Sequence, residues 1–156
     1  MLSVKLICVG KLKEQFNSMA MKEYEKRLHG LSRFHVIEIA ESRLPKNPSQ
    51  VQIQQGLLLE GRQILDRTKG MLVPLCIEGE PVTSADISKL LSAAMEYPGS
   101  ISFIIGSSFG LSAEVKASGK GISMSRMTFP HGLARVILTE QIYRGLKILQ
   151  GSKYHK

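Results

Sequence analysis

Two segments near the end of the chain carry the residue types best suited to chemistry. In SMSRMTFPHGLARVILTEQIYRGLKI, residues 123–148, a dense loop without glycine, Met124–Phe129, runs straight into a helix opened by Pro130. That helix bears Arg135, Glu140 and Arg144, of which Glu140 and Arg144 stand i,i+4 and share one face. Such a pair is either an ordinary surface ion pair worth less than about 1 kcal/mol or the anchored cation of a site. The chain then ends GSKYHK. A polar C-terminus commonly frays, while an aromatic–histidine pair flanked by lysines can also fold over a site and meet RNA by stacking and phosphate contact.

Two strand ends are the other places where a ligand can sit: Leu75–Gly79 and the run SFIIGSSFGLS, residues 102–112. The second is not a dinucleotide fingerprint, because Gly106 and Gly110 are four apart with serine where the second glycine of G-x-G-x-x-G belongs. Nor is it a P-loop, since no Gly-Lys-Ser/Thr follows. The acidic ribose partner expected some 20 residues downstream is missing too, as no Asp or Glu lies between Glu114 and Glu140. Pyrophosphate binding is therefore disfavoured. What remains is a loop whose small residues let backbone approach a flat, neutral group such as adenine, or a simple change of direction. His131, following Pro130, reads as a structural residue at the start of its helix. Cys8 and Cys76 each lie in an apolar run and read as buried, reduced thiols. No grouping of the four histidines and two cysteines has metal-ligand spacing, so no metal is expected.

These residues must be positioned by alternating strands and helices. Strands are predicted at Ser3–Val9, Phe34–Ala40, Met71–Ile77 and Ile101–Gly106, with a short one at Ile122–Ser125. Helices are predicted over Glu14–Leu28, with Phe16, Ala20, Tyr24 and Leu28 as one face, and over Ser49–Thr68, with Leu57, Leu58, Ile64 and Leu65 inward. EGEPVTSADIS, residues 78–88, supplies a turn and then a helix capped by Thr83 or Ser84, ending near Tyr97. Ser112 caps a short helix, and the last runs from about Pro130 to Gln150. Strands that read as continuous apolar runs, separated by helices, argue for an α/β fold: a mostly parallel sheet covered on both faces. In such sheets ligands bind beyond the carboxyl ends of the strands.

The 156 residues are most simply one domain, 1–156, large enough to bury about 70% of the unfolded surface. No apolar run approaches the roughly 18 residues of a membrane span, and MLSVKLICVGK is too short and strand-like for a signal peptide. A cytoplasmic setting and no membrane partner are expected. The net charge of +8 is unevenly placed. Residues 1–35 hold seven Lys/Arg against three Glu, and 114–156 hold eight against two, whereas 36–113 is slightly acidic. If the fold brings the two ends together, that surface attracts a polyanion, RNA before membrane; an ordinary solvated basic face is the alternative.

Taken together, the sequence closely resembles the bacterial large-subunit rRNA pseudouridine N3-methyltransferase family (RlmH) of the SPOUT superfamily. The resemblance is carried by Val9-Gly10-Lys11-Leu12-Lys13, Tyr24-Glu25-Lys26-Arg27-Leu28, Phe103-Ile104-Ile105-Gly106 and Gly110-Leu111. Most specific are Ser125-Arg126-Met127-Thr128-Phe129-Pro130-His131, Glu140-Gln141-Ile142-Tyr143-Arg144 and Tyr154-His155-Lys156. It implies a C-terminal trefoil knot, a homodimer and S-adenosylmethionine as methyl donor. The cofactor pocket it implies falls on Leu75, Gly106 and the loop Met124, Ser125, Arg126, Met127, Thr128 and Phe129. It further implies as substrate a pseudouridine in helix 69 of 23S rRNA. For methyl transfer to N3 of that base the expected catalytic residues are Arg144, to orient it or stabilise its anion, His155, to accept or relay the proton, and Tyr154, to stack on it. So small and basic a chain points to the assembled ribosome as target. Similar proteins usually carry a second glycine where this chain has Ser107. Two rival classes fit parts of the pattern: a flavodoxin-like or nicotinamide oxidoreductase, disfavoured by the glycine spacing, and a ribosome-binding factor without catalysis.

Overall fold

The computed structural model describes residues 1–156. In chain order the elements are β1 (Ser3–Val9), α1 (Gln15–Leu28), β2 (Arg33–Ile39), α2 (Gln50–Arg67) and β3 (Met71–Pro81). They continue with α3 (Ser84–Glu96), β4 (Ser100–Ile105), α4 (Ala113–Lys116), β5 (Ile122–Ser123) and α5 (His131–Leu149). The helix starts follow local chemistry. Ser49 and Thr83 each accept from the backbone amide three residues on, while Gln52 and Asp86 reach back to the cap, closing two capping boxes.

The five strands form one all-parallel sheet in the order β2-β1-β4-β3-β5. Its two faces are separate cores. On one, Val4, Leu6, Cys8, Phe103 and Ile105 pack with Met21 of α1, Leu91 of α3 and Leu138, Ile142 and Leu146 of α5. On the other, Ile7, Val9, Ile39 and Ile104 pack with Ile64 of α2 and Val115 of α4. This is the predicted α/β architecture with helices on both faces. A trefoil knot is consistent with it: β5 pairs back onto β3, and α5 returns to lie against α1 and α3.

Three expectations are corrected. β3 does not stop at Ile77 for a turn at EGEP; it continues to Pro81, outruns β4 and pairs with β5, Glu80 opposite Ile122. Gly79 permits this, because a Cβ there would lie 2.6–2.8 Å from the backbone of Gly121 and Ile122. In α1, Phe16 does not face inward but is 66% exposed; the buried line is Asn17, Met21 and Leu28, with Tyr24 half-buried between them. A strict four-residue repeat precesses by about 40° per step, so a row of four such residues cannot stay on one stripe. On α2, Leu58 is likewise exposed and Leu65 half-buried, while Leu57 and Ile64 enter the core.

Candidate functional site

Because all strands run the same way, β1, β2, β4 and the outer half of β3 deliver their carboxyl ends to one edge of the sheet. There a cavity of about 350 Å³ opens between the end of β3, the turn after β4, the loop 124–129 and the first turn of α5. Leu75, Gly106, Met124, Ser125, Arg126, Met127, Thr128 and Phe129 all line it. The turn after β4 is tight: the Gly110 amide donates to the Ser107 carbonyl at 2.8 Å. A Cβ on Gly106 would stand 2.3 Å from the Gly110 carbonyl oxygen. Ser107 is buried, and its hydroxyl accepts from the Phe109 amide at 3.3 Å, so the side chain is turned into its own loop.

The opposite wall is irregular backbone. The Ser125 hydroxyl accepts from the Met127 amide at 3.0 Å, but the amides of Ser125, Arg126, Thr128 and Phe129 donate no hydrogen bond within the chain. Free backbone donors beside an apolar floor of Leu75, Ile105 and Leu111 suit a flat heteroaromatic ring with acceptor nitrogens, such as the adenine of an adenosyl group. A smaller cavity of about 280 Å³ adjoins this one, shares Met124 and Phe129, and reaches Gln141 on α5.

The cavity also includes residues that sequence reading did not single out as ligands. Glu78 and Lys116 face each other at 2.5 Å, and Lys116 holds the carboxyl below its ordinary range. Their pairing across 38 positions leaves no local signal. His131 is exposed and lines the cavity rather than serving only the helix start. Cys76 is half-buried, not buried as expected, because it sits on the cavity wall; burial still raises its thiol pKa. Cys8 is buried as expected, its thiol pushed up to about 12 mainly by desolvation.

The start of α5 is fixed to the sheet by Arg135. Its guanidinium is buried, donating to Glu38 at the end of β2 at 2.7 Å and to the Gly10 carbonyl after β1 at 3.1 Å. The two basic ends of the chain meet here, since the Lys11–Lys13 segment packs against the same helix turn.

Arg144, Tyr154 and His155 form a second cluster, separate from the cavity. Glu140 organises it, accepting from Arg144 Nη2 at 2.7 Å and from the Tyr154 hydroxyl at 3.1 Å. Arg144 Nη1 lies 3.3 Å from His155 Nδ1, and the guanidinium sits 4.8 Å from the Tyr154 ring centroid. Tyr154 also meets Tyr143 edge-on at 4.9 Å. The tail is therefore docked, not frayed. An arginine can only donate, so the contact is a hydrogen bond in the tautomer that carries its proton on Nε2, with Nδ1 accepting. Burial and the bond to Glu140 raise the Tyr154 pKa, so the phenol stays neutral. The α5 residues at the cavity are His131 and Ala134. Arg144 lies further along the same helix, about 15 Å from Ala134 at 1.5 Å per residue.

Comparison with known proteins shows the family. Residues 2–155 match the family described as predicted SPOUT methyltransferase. The chain belongs to the SPOUT methyltransferases. Within that family it is 37% identical to the ribosomal RNA large subunit methyltransferase H of Streptococcus uberis, over 99% of this chain and 100% of that protein. It is 39% identical to the protein of the same name from Oenococcus oeni, over the full length of both. A putative ribosomal RNA large subunit methyltransferase H of Methanococcus maripaludis is 40% identical over 99% of this chain and 100% of its own. In this SPOUT chain no helix is long and apolar enough to cross a membrane.

Proposed function

We propose that this protein is an S-adenosylmethionine-dependent methyltransferase of large-subunit ribosomal RNA, modifying N3 of a pseudouridine in helix 69 of 23S rRNA on the assembled ribosome. The observation that carries the reading is the convergence of Leu75, Gly106 and the loop 124–129 on one cavity at the carboxyl edge of the sheet. The names of the full-length relatives support rRNA as substrate. The net charge of +8, concentrated at the two ends of the sequence, supports a polyanionic substrate.

When bound, S-adenosylmethionine supplies a methyl group already activated by its sulfonium centre. The protein's share is alignment and a nucleophilic nitrogen. N3–H of a pseudouridine is a weak acid, and its loss spreads negative charge onto the flanking carbonyl oxygens. Arg144 suits that charge: with Glu140 and His155 accepting from three of its N–H groups, two remain to donate to a base carbonyl. His155 takes the proton at Nδ1 once the base displaces the Arg144 contact. Tyr154 holds the Arg144 guanidinium and offers the base an aromatic ring to stack on.

The distance along α5 supports a homodimer as the active unit. Arg144 and the docked tail stand too far from their own cavity to act there, so in this reading they serve the cavity of a second copy, and the active unit is a homodimer. The test is methyl incorporation into ribosomes from cells lacking this protein, with mass mapping of the modified 23S rRNA. Methylation of N3 in a helix 69 pseudouridine supports the reading; methylation elsewhere, or none, overturns it.

A further inference from the structure

Among the residues lining the main cavity, Glu78 is the only carboxylate. It lies three positions beyond Leu75 on the outer half of β3, where it is 60% exposed at the cavity mouth. Lys116, one turn into the segment that follows the Gly106–Gly110 turn, holds its Oε1 at 2.5 Å and so fixes the side chain across the opening. Apart from Lys116, only Glu78's own backbone amide reaches its carboxylate, and no other side chain does. No other acceptor at the cavity carries a negative charge: they are serine and threonine hydroxyls, the His131 ring and backbone carbonyls.

An adenosyl ligand presents one feature that these neutral groups serve poorly. Its ribose carries two adjacent hydroxyls, a pair of donors that a single carboxylate can accept together, and a hydrogen bond to an ionised acceptor is about twice as strong as one between neutral groups. Acidic residues play this part for ribose in dinucleotide-binding sheets, where the acid stands at the end of the next strand. Here no acid follows the β4 turn in sequence, but the parallel sheet brings one to the cavity from β3 instead. We infer that Glu78 is the ribose-recognition residue of this cavity, with Lys116 as the positioning residue that holds its carboxylate at the mouth. The inference rests on the proposed adenosyl cofactor and assigns it a contact on this chain's own side chain.

The test is calorimetric and needs no turnover. S-adenosylhomocysteine and its 2′-deoxy analogue are titrated into the wild type, Glu78→Ala, Glu78→Gln and Lys116→Met. The expected result is a roughly tenfold loss of S-adenosylhomocysteine affinity in Glu78→Ala and a smaller loss in Glu78→Gln, whose amide keeps one acceptor oxygen. The wild type should bind the 2′-deoxy analogue several-fold more weakly, and Glu78→Ala should no longer distinguish the two ligands. Lys116→Met should weaken both variants of the ligand less than Glu78→Ala weakens S-adenosylhomocysteine, while keeping some preference for the ribose form. Equal binding by wild type and Glu78→Ala, or an unchanged 2′-hydroxyl preference in Glu78→Ala, overturns the ribose assignment alone. A wild type that binds neither ligand overturns the adenosyl reading beneath it.

Discussion

Replacing Glu140 should separate catalysis from cofactor binding. The Glu140 side chain is 15% exposed and that of Arg144 25%, so the bonds between them are largely sheltered from water. Glu140 accepts from the Tyr154 hydroxyl at 3.1 Å, which docks the tail, and from Arg144 Nη2 at 2.7 Å, which holds the guanidinium that meets Tyr154 and His155. Hydrogen bonds to a charged group contribute about 1.5–3 kcal/mol each. Partial exposure and the freedom of the tail to rebind water reduce the pair to roughly 2 kcal/mol in all. If the docked tail is the catalytic arrangement, Glu140→Ala loses that much transition-state stabilisation, about a 30-fold fall in kcat. The affinity for S-adenosylhomocysteine should stay within twofold, because Glu140 does not line the main cavity. Transfer of a labelled methyl group to ribosomes gives the first quantity and calorimetry the second. A kcat within twofold of wild type refutes the reasoning, as does a loss of activity matched by a loss of cofactor affinity.

Other expectations follow from single contacts. Gly106→Ala places a Cβ 2.3 Å from the Gly110 carbonyl oxygen, so the turn must open; a cost of about 1–3 kcal/mol in chemical denaturation and loss of S-adenosylhomocysteine binding by calorimetry are expected. Ser107→Gly removes a hydroxyl already engaged with the Phe109 amide and adds backbone freedom. It should lower stability by about 0.5–1 kcal/mol and leave cofactor affinity within twofold, whereas tighter binding would mean that the serine crowds the cavity. The Asp86 carboxyl is held below its ordinary range, chiefly by the Thr83 backbone amide and then by the Thr83 hydroxyl. Its contribution is therefore present at neutral pH and lost as pH falls through the carboxylate range. Asp86→Asn should lower Tm at pH 7, and the gap to wild type should narrow as pH falls below the ordinary aspartate range.

Much of this fold is legible in the sequence because its signals are local. β1 spans the predicted Ser3–Val9 with the same bounds, and Ser49, Thr83 and Ser112 mark three helix starts by their hydroxyls. The strand end at Gly106 and the loop 124–129 could be singled out from spacing and composition alone. What the sequence conceals is pairing across distance. The extension of β3 to Pro81 depends on β5, some 40 residues later, overriding the turn signals of Gly79 and Pro81. Glu78 with Lys116 and Glu38 with Arg135 join segments 38 and 97 positions apart, and no periodicity reports either. The docking of Tyr154 on Glu140 lay closer to view, since both stand in the same short C-terminal stretch.

In the proposed homodimer the cavity of one copy works with the Arg144–Tyr154–His155 cluster of the other. The most direct measurement mixes two inactive proteins, Gly106→Ala and a chain ending at Gly151, after unfolding and refolding them together in equal amounts. Random association makes half of the dimers mixed, and each mixed dimer then holds one intact cavity facing one intact tail. The account predicts recovery of roughly a quarter of wild-type methyl transfer. Mixed dimers that form but stay inactive would contradict it, because tail and cavity would then have to belong to the same chain.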